Sequence, residues 1–396
     1  MSSNYIINLF KLFSLFFVFS CGTVENFSEI NDEDLNQTKY EKIDKLSLNS
    51  SINFNNELNK NKFTINNYKK SYKNNSPLKI YILDNEIYAF NSNFELLKFD
   101  LNNGDLIEAI LVDINDTSPL LIPTNFIQYK DKFIIGFKSG LIILVDTNGK
   151  IIWLNKTNKI LNTNIRLYED TLIAIYEDSI KSINLNNGLT NWTEVYKDMP
   201  IYQAKGGAMV DFANLIYFIL PNNKIGSIDM LFGEKHSSNF DDLDIQSSIN
   251  NTNDKLHLFE SYLFYLDEGE YLYTFDILSD EFILYKNKIL SSNNSSVFVN
   301  NALIIKNDNF INAINIMNGN IFWKIEIHKS FKKANILDAK ILNNKLNLFF
   351  DNGVIVEILN DSILNIKELK VKNINHIYFQ KNILFTSHLN GKTTIF

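Results

Sequence analysis

Cysteine, proline and glycine are scarce in this chain, and clusters of positive charge are missing. The 396 residues include one cysteine, Cys21, with 14 glycines and 5 prolines. A single cysteine excludes an intramolecular disulfide and a metal site made of several thiolates. The formal net charge is −7, and the sequence has no long run of basic residues. Nucleic acid is therefore not an expected partner, because its binding relies on clustered positive charge.

Recognisable catalytic and metal-binding motifs are also missing. The sequence has no EF-hand calcium loop, no nucleophile elbow and no phosphate-binding glycine loop. The histidines lie far apart, none of them paired at metal-ligand spacing, and solvated or core-edge positions are expected for His236, His257, His328, His376 and His388. We therefore expect no catalytic residues, no metal and no cofactor, and we predict that the protein is not an enzyme.

What the chain does contain is apolar surface arranged in a repeat. Hydrophobic residues make up 45% of the sequence and aromatic residues 13%, enough for a large core. The clearest copy is Lys138–Trp153, KSGLIILVDTNGKIIW, in which the turn Asp146–Gly149 separates two apolar runs. Aspartate and asparagine favour turns, and glycine adopts positive φ without steric cost. Trp153 follows Gly149 by four residues and offers a large surface for a neighbour to cover.

The same pattern recurs along the chain. Asn184–Gly188 leads to Trp192 and Asn315–Gly319 leads to Trp323, so all three tryptophans occupy one position of the repeat. Weaker copies are Asp100–Gly104, Asp229–Gly233, Asp276–Asp280 and Glu357–Asp361. Successive turn anchors, at 104, 149, 188, 233, 280, 319 and 361, are 39 to 47 residues apart. This period is typical of β-propeller blades, and we expect each tryptophan to pack against an adjacent blade.

Eight hairpins rich in apolar, β-branched and aromatic residues are predicted, and no segment of helical period competes with them. They are Lys79–Phe99, Phe133–Val145, Thr171–Ile183, Asn214–Ile228, Tyr262–Phe275, Ala302–Ile314, Leu346–Ile358 and Asn382–Phe396. The last hairpin has no turn anchor after it, which leaves its blade one strand short, and an open edge favours aggregation. We predict an eight-bladed propeller over residues 61–396, closed by a strand from Phe63–Tyr72.

The first 60 residues have a different character. Lys11 is the only charged side chain of residues 1–20, and Leu12–Ser20 is an apolar run too short to span a bilayer as a helix. Residues 1–20 are interpreted as a signal peptide. Residues 21–60 are rich in Asn, Asp, Glu and Ser and are predicted to be a flexible tether, with a short helix around Asp32–Leu48 as the alternative.

The apolar run ends at Val18-Phe19-Ser20-Cys21, which resembles a bacterial lipobox, although Phe19 is bulkier than that motif prefers. The resemblance implies that Cys21 is lipidated and becomes the new N-terminus. The next residue is Gly22 and not aspartate, which implies an anchor in the outer membrane, facing the periplasm. The alternative is an ordinary signal peptide with an incidental cysteine.

The D-x-x-x-G-x-x-x-W pattern resembles the PQQ-like (quinoprotein dehydrogenase-like) propeller repeat over about residues 63–396. Together with the lipobox, it makes the chain similar to the BamB-like propeller lipoproteins of the outer-membrane β-barrel assembly machinery. This resemblance implies a non-enzymatic scaffold that binds the barrel-forming subunit and assists insertion of outer membrane proteins. Contact with unfolded outer membrane proteins at exposed strand edges is a further expectation.

Two segments resemble partner-binding segments of that family. Asn191-Trp192-Thr193 and the following DMPIYQAKG of Asp198–Gly206 are similar to its N-W-T and D-M-P-x-φ-x-φ-[RK]-G elements. The resemblance implies that Tyr202, Ala204 and Lys205 contact the barrel-forming subunit, with Ala204 standing where the family usually has leucine.

The second segment, Asp244–Ser248 (DIQSS), resembles the D-V-D-T-T element, whose acidic residues join the same surface. Asp244 is retained and Gln246 replaces the second acid. The alternative is that both segments are ordinary loops between blades.

Two other function classes remain open. PQQ-like propellers include quinoprotein alcohol dehydrogenases, whose quinone stacks on an aromatic floor beside Ca²⁺, a catalytic aspartate and, commonly, an adjacent cysteine pair. This chain has no second cysteine. A periplasmic propeller that binds a ligand or associates with peptidoglycan would fit the fold equally well.

Overall fold

Turns in the left-handed backbone conformation mark the repeat. The computed structural model describes residues 46, 63–66, 78–161, 165–196, 209–219, 225–236, 255–266, 271–288, 295–359, 361–380, 383–388 and 392–396. All seven predicted turn anchors have positive φ, at Gly104, Gly149, Gly188, Gly233, Asp280, Gly319 and Asp361. Each of these turns joins the third and fourth strands of a sheet.

The described strands form eight antiparallel sheets of four strands each, one per blade. Blade 1 contains β2 (Tyr81–Leu83), β3 (Glu86–Phe90), β4 (Glu95–Asp100) and β5 (Leu106–Leu111); blade 2 contains β6 (Pro123–Tyr129), β7 (Lys132–Phe137), β8 (Leu141–Val145) and β9 (Ile151–Lys156); blade 3 contains β10 (Arg166–Tyr168), β11 (Thr171–Ile175), β12 (Ser179–Asn184) and β13 (Thr190–Val195); blade 4 contains β14 (Met209–Phe212), β15 (Leu215–Ile219), β16 (Ile225–Asp229) and β17 (Lys235–His236).

The second half of the propeller has the same arrangement. Blade 5 contains β18 (Lys255–Phe259), β19 (Tyr262–Leu266), β20 (Tyr271–Asp276) and β21 (Glu281–Lys288); blade 6 contains β22 (Ser295–Val299), β23 (Ala302–Lys306), β24 (Phe310–Asn315) and β25 (Ile321–Glu326); blade 7 contains β26 (Ile336–Leu342), β27 (Lys345–Phe350), β28 (Val354–Leu359) and β29 (Ser362–Glu368); blade 8 contains β30 (Ile374–Gln380), β31 (Ile383–His388), β32 (Lys392–Ile395) and β1 (Phe63–Asn66). The described part of the chain contains no helix long and apolar enough to cross a membrane.

Blade 8 is completed by the N-terminal strand. The strand order is β1-β32-β31-β30, and β1 pairs antiparallel with β32, from Phe63 opposite Ile395 to Asn66 opposite Lys392. The predicted closure from within Phe63–Tyr72 is therefore confirmed. The pairing of β1 with β32 covers the edge that the last hairpin would otherwise leave open.

The predicted hairpins correspond to the second and third strands of the blades, and the first of them also includes β2. These strands are covered on both faces by neighbouring sheets, and β8 is buried at every residue. A strand buried on both faces reads as a continuous apolar run, which explains why the sequence signal is strongest there. The outer strand β5 is exposed along almost its whole length and carries a much weaker signal.

The core lies between adjacent sheets. Tyr88 of blade 1 and Phe133 of blade 2 have ring centroids 4.9 Å apart, within the range of favourable aromatic pairs. A second interface, between blades 6 and 7, is a large buried cluster, and Leu46 packs against it from within the segment predicted to be a tether. Apart from Leu46, the predicted signal peptide and tether, with Cys21, lie outside the described residues.

Candidate functional site

The predicted partner-binding residues, Tyr202, Ala204, Lys205, Asp244 and Gln246, lie outside the described residues. The strands on either side of them are described. The first segment belongs to the connection 196–208 from β13 of blade 3 to β14 of blade 4, and the second to 237–254, from β17 of blade 4 to β18 of blade 5.

Of the eight connections that lead from one blade to the next, 237–254 is the longest, followed by 67–80, from β1 of blade 8 to β2 of blade 1, and then by 196–208. Each runs from the outer strand of one blade to the inner strand of its neighbour. Connections at equivalent points of consecutive blades leave a propeller on the same face. Long connections carried by a rigid sheet scaffold are common sites of binding.

The three tryptophans lie at one position, the third residue of the outer strands β9, β13 and β25. Trp153 Nε1 donates a hydrogen bond of 2.8 Å to the carbonyl of Leu185 in blade 3. Trp192 Nε1 donates one of 3.1 Å to the carbonyl of Met230 in blade 4. Trp323 is half-buried against the cluster that joins blades 6 and 7. Each ring thus contacts the turn or sheet of the following blade.

The turn glycines allow that contact. A Cβ added at Gly188 would lie 2.7 Å from the ring of Trp153, and one at Gly233 would lie 2.5 Å from the ring of Trp192. A Cβ at Gly149 would meet Ile110 of blade 1 at 2.6 Å. Gly319 has the same backbone conformation, with φ of 75°. Glycine at 149, 188 and 233 therefore serves both the turn and the close approach of a neighbouring blade.

A second group of polar residues lies where the innermost strands face the propeller axis. In each blade, the last residue pair between the first and second strands marks the same height along the propeller axis. The first-strand residue two positions before that pair therefore also lies at one common height in every blade. Those residues, in blade order, are Tyr81, Ile127, Arg166, Val210, His257, Val297, Lys340 and Tyr378. Three of them can carry positive charge.

Several of these side chains bond to the next blade. Tyr378 Oη accepts a hydrogen bond of 2.9 Å from the Ile80 amide, and Arg166 Nη2 donates one of 2.5 Å to the carbonyl of Met209. His257 Nε2 lies 2.9 Å from the carbonyl of Asn300, so this nitrogen carries the proton. These bonds hold the axial side chains in fixed positions across the joints between blades.

Two cavities open beside this level. The first, of about 380 Å³, is lined by Lys79, Tyr81, Gln128, Lys130, Tyr378 and Gln380, with Ile80 and Phe379. The second, of about 360 Å³, is lined by Arg166, Asp211 and His257, with Met209, Val210, Leu256 and Leu258. Both volumes are in the range of small-molecule sites, about 300–1,000 Å³.

Burial and positive neighbours set the electrostatics of this region. Burial, followed by the charges of Arg166 and Lys340, lowers the pKa of Lys79. Burial also lowers the pKa of His257, with a further contribution from the charge of Lys340, and that of His376, with a further contribution from the charge of Lys79. Burial of Tyr81 raises its pKa to about 12, and a hydrogen bond with the backbone of Gln128 partly offsets this rise. The axial region therefore disfavours additional positive charge.

Sequence reasoning missed this group of residues. They come from blades 1, 3, 5, 7 and 8 and are separated by tens of residues, so no motif spacing connects them. One signal was available, because Arg166 is the only arginine in 396 residues, against 37 lysines. The two axial histidines were noted only as solvated or core-edge residues.

A quinone cofactor with Ca²⁺ does not fit the described residues. All three tryptophans lie on outer strands, where they pack between blades and leave no indole floor at the axis. Among the residues that the structure describes, no group of three or more His, Cys, Asp and Glu side chains could hold a metal ion.

The turns between third and fourth strands expose apolar side chains in three consecutive blades. Leu189 of blade 3, Leu231 and Phe232 of blade 4 and Leu278 of blade 5 are between 50% and 75% exposed. The matching turns of blades 1 and 2 carry Asn103 and Asn148. Adjacent exposed apolar residues of this kind are typical of surfaces that contact other macromolecules.

No protein-family model matches this sequence, and no curated protein matches it. BamB from Moraxella catarrhalis has a similar structure, with TM-score 0.59 and 16% identity, over 84% of this chain and 98% of that one. The computationally designed Ika8 protein gives TM-score 0.63 and 14% identity, over 84% and 99%.

Quinohemoprotein alcohol dehydrogenase from Comamonas testosteroni gives TM-score 0.55 and 11% identity, over 85% of this chain and 76% of that one. At these identities the likeness establishes the architecture alone. The chain has the fold of an eight-bladed β-propeller, similar in structure to BamB and to a quinohemoprotein dehydrogenase.

Proposed function

We propose that this protein is a non-enzymatic scaffold lipoprotein of the outer-membrane β-barrel assembly machinery. In this proposal it is anchored through Cys21 and faces the periplasm. It binds the barrel-forming subunit and assists insertion of outer membrane proteins. The proposal rests on the similarity to BamB together with the local sequence resemblances at Cys21, 198–206 and 244–248.

The observation that carries the partner-binding part is the placement of the two resembling segments. Both belong to connections that lead from one blade to the next, and these connections follow consecutive blades and are among the three longest of their kind. Tyr202 offers apolar area with a polar tip, a common interface anchor. Lys205 and Asp244 would supply complementary charge, which influences orientation and association rate more than affinity.

The apolar turns of blades 3 to 5 also favour a protein-binding role. Leu231, Phe232 and Leu278 belong to third-to-fourth-strand turns, at the opposite ends of the strands from the connections between blades. A scaffold with two contact faces can hold two partners at once. An enzyme would instead need converging catalytic groups, and the tryptophans that could form a cofactor floor are used between blades.

The proposal is tested by co-purification from solubilised cell envelopes. The chain with Tyr202→Ala and Lys205→Glu should fold with an unchanged unfolding midpoint and lose most of the barrel-forming subunit that the unaltered chain recovers. A matched variant, Lys150→Glu, reverses the charge of an exposed lysine outside both connections and should retain the partner. Equal recovery by all three proteins would contradict the assigned surface. Recovery of a glycan or small ligand with no assembly subunit would favour the ligand- or peptidoglycan-associated class.

The anchor is tested separately. A Cys21→Ser variant should move from the membrane fraction to the soluble periplasmic fraction, because a multiply acylated cysteine gives stable attachment and its loss removes it. Membrane retention of Cys21→Ser after a high-salt wash would contradict a lipid anchor at this residue.

A further inference from the structure

The axial cavity of about 360 Å³ is lined by two side chains of opposite charge, Arg166 of β10 in blade 3 and Asp211 of β14 in blade 4. Both residues are exposed to solvent. Within the described part of the chain, neither of them takes part in an ion pair. The cavity therefore holds a cation and an anion that are both available to a ligand.

The guanidinium of Arg166 is held in place by the next blade. Its Nη2 donates a hydrogen bond of 2.5 Å to the carbonyl of Met209, two residues before Asp211 on β14. One such bond leaves other N–H groups of the guanidinium able to bind a ligand. The planar arrangement of these donors matches a carboxylate, which arginine binds through two parallel hydrogen bonds.

The backbone of β14 adds a further donor to the cavity. Phe212 and Leu215 are paired across a two-residue hairpin loop, and such a closing pair exchanges its hydrogen bonds within the hairpin. Because backbone groups alternate in direction along a strand, Met209 and Asp211 direct theirs away from β15 and toward the axis. The bond from Arg166 to the Met209 carbonyl agrees with this direction. The N–H of Asp211 can therefore donate to an anion in the cavity.

The other walls of the cavity are mainly aliphatic. Val210, Leu256 and Leu258 line it and belong to the apolar packing between blades 4 and 5. His257 also lines it, and its Nε2 donates to the carbonyl of Asn300. Burial lowers the pKa of His257, so its ring adds no charge near pH 7. The cavity thus combines one cation, one anion and an aliphatic surface.

We propose that this cavity binds a zwitterionic α-amino acid with an aliphatic side chain. Arg166 and the backbone N–H of Asp211 bind the carboxylate, and the side chain of Asp211 accepts hydrogen bonds from the ammonium group. The aliphatic side chain lies against Leu256 and Leu258. A volume of about 360 Å³ is at the low end of small-molecule sites, about 300–1,000 Å³, which suits a ligand of this size. This binding goes beyond the scaffold function and does not depend on it.

The two opposite charges disfavour simpler ligands. A carboxylic acid without an amine would place its negative charge beside Asp211, and an amine without a carboxylate would place its positive charge beside Arg166. Each would also leave one charged group of the cavity without a partner. A site built around paired polar contacts discriminates strongly against an analogue that lacks one of them.

Titration calorimetry of the full chain with L-leucine, N-acetyl-L-leucine and L-leucinamide tests the proposal, because each analogue lacks one of the two charges. We expect leucine to bind at one site per chain and to raise the unfolding midpoint with concentration, as a ligand of the folded state does. Both analogues should bind at least about tenfold more weakly.

Asp211→Asn is the decisive variant, because the Asp211 side chain makes no hydrogen bond or ion pair with the described residues and the chain should fold without its charge. Its affinity for leucine should fall at least about tenfold, whereas its affinity for N-acetyl-leucine should stay equal or rise as repulsion is relieved. A general structural defect would weaken both ligands. Arg166→Gln should show the converse, with leucine weakened and leucinamide unchanged or tighter. Asp113→Asn, an exposed aspartate between blades 1 and 2, is the matched control and should bind leucine normally.

Three results would overturn the proposal. The first is leucine that gives no saturable heat and no rise of the midpoint. The second is an unaltered chain that binds either analogue as tightly as leucine. The third is an Asp211→Asn variant whose affinity for leucine is unchanged, or falls no further than that of Asp113→Asn.

Discussion

Trp153 and Gly188 belong to neighbouring blades, and the indole ring lies so close to the glycine that an added Cβ would come within 2.7 Å of it. The same ring donates its N–H to the carbonyl of Leu185, 2.8 Å away, in the same turn. Asn155 Nδ2 adds a bond of 2.9 Å to the Gly188 carbonyl. One turn of blade 3 is thus held by two side chains of the outer strand of blade 2.

Replacing Gly188 with alanine should destabilise the protein by about 1–3 kcal/mol, because Gly188 has φ of 74° and its Cβ would strike the ring. Urea unfolding measures the change. In a Trp153→Ala background the same substitution should cost less, since only the backbone strain remains. Equal costs in both backgrounds would show that the ring contact has no energetic consequence.

The indole hydrogen bonds predict that replacing the three equivalent tryptophans lowers the free energy of unfolding by different amounts. Trp153→Phe and Trp192→Phe each leave a carbonyl of the next blade without its donor, at about 1 kcal/mol for the lost bond. Trp323 has no such bond among the described residues, so Trp323→Phe isolates the cost of the smaller ring. Unfolding free energies should show larger losses at 153 and 192 than at 323. A loss at 323 as large as the other two would contradict a contribution from the bonds.

The repeat made the propeller predictable from the sequence, whereas the group of polar residues at the axis could not be predicted from it. The turn anchors could be found because left-handed turns select glycine, aspartate or asparagine, and five of the seven are glycines. The middle strands could be found because burial on both faces demands apolar residues. The polar residues of the axial level, such as Arg166, His257 and Lys340, obey no local rule, since each is an ordinary polar residue on an inner strand. Only closure of the ring brings them together.

Closure itself was predictable from an omission. The hairpin of blade 8 was predicted to lack a fourth strand, and β1 supplies it by pairing with β32. The partner-binding assignment of Tyr202 and Lys205 stays a prediction, because it rests on local sequence resemblance. Structural similarity at 16% identity to BamB identifies a shared architecture and not shared contacts.

The axial histidines predict a pH dependence of stability. Burial lowers the pKa of His257 and His376 below the ordinary value of 6.5, and the positive charges of Lys340 and Lys79 act in the same direction. The unfolded chain therefore binds more protons below pH 6.5, and stability should fall as the pH drops through that value. The raised pKa of Asp338 has the opposite effect, because the folded protein holds this proton more tightly than the unfolded chain does. Its contribution to stability falls as the pH rises above the ordinary value of 3.8.

The double variant His257→Gln, His376→Gln should flatten the change in unfolding free energy between pH 7 and pH 5. Glutamine at 257 can still donate to the carbonyl of Asn300, which limits structural damage. His236→Gln, at an exposed position on β17, is the matched control and should leave the pH profile unchanged. A double variant that keeps the slope of the unaltered chain would assign the pH dependence to other groups.

The closing strand offers the strongest test of the architecture. Thr64 pairs with Thr394 and Ile65 with Thr393, and backbone N–H groups of adjacent strand residues point in opposite directions. Thr64→Pro with Ile65→Pro therefore removes at least one donor to β32 whichever residue faces it, and proline is poorly tolerated in a paired strand. We expect a loss of about 3 kcal/mol or more, with increased aggregation as the edge of β32 opens. Calorimetry and light scattering measure both effects. The matched change Asn55→Pro, Asn56→Pro lies in the predicted tether and should alter neither. A Thr64→Pro, Ile65→Pro protein as stable and monodisperse as the unaltered chain would show that blade 8 holds together without its N-terminal strand.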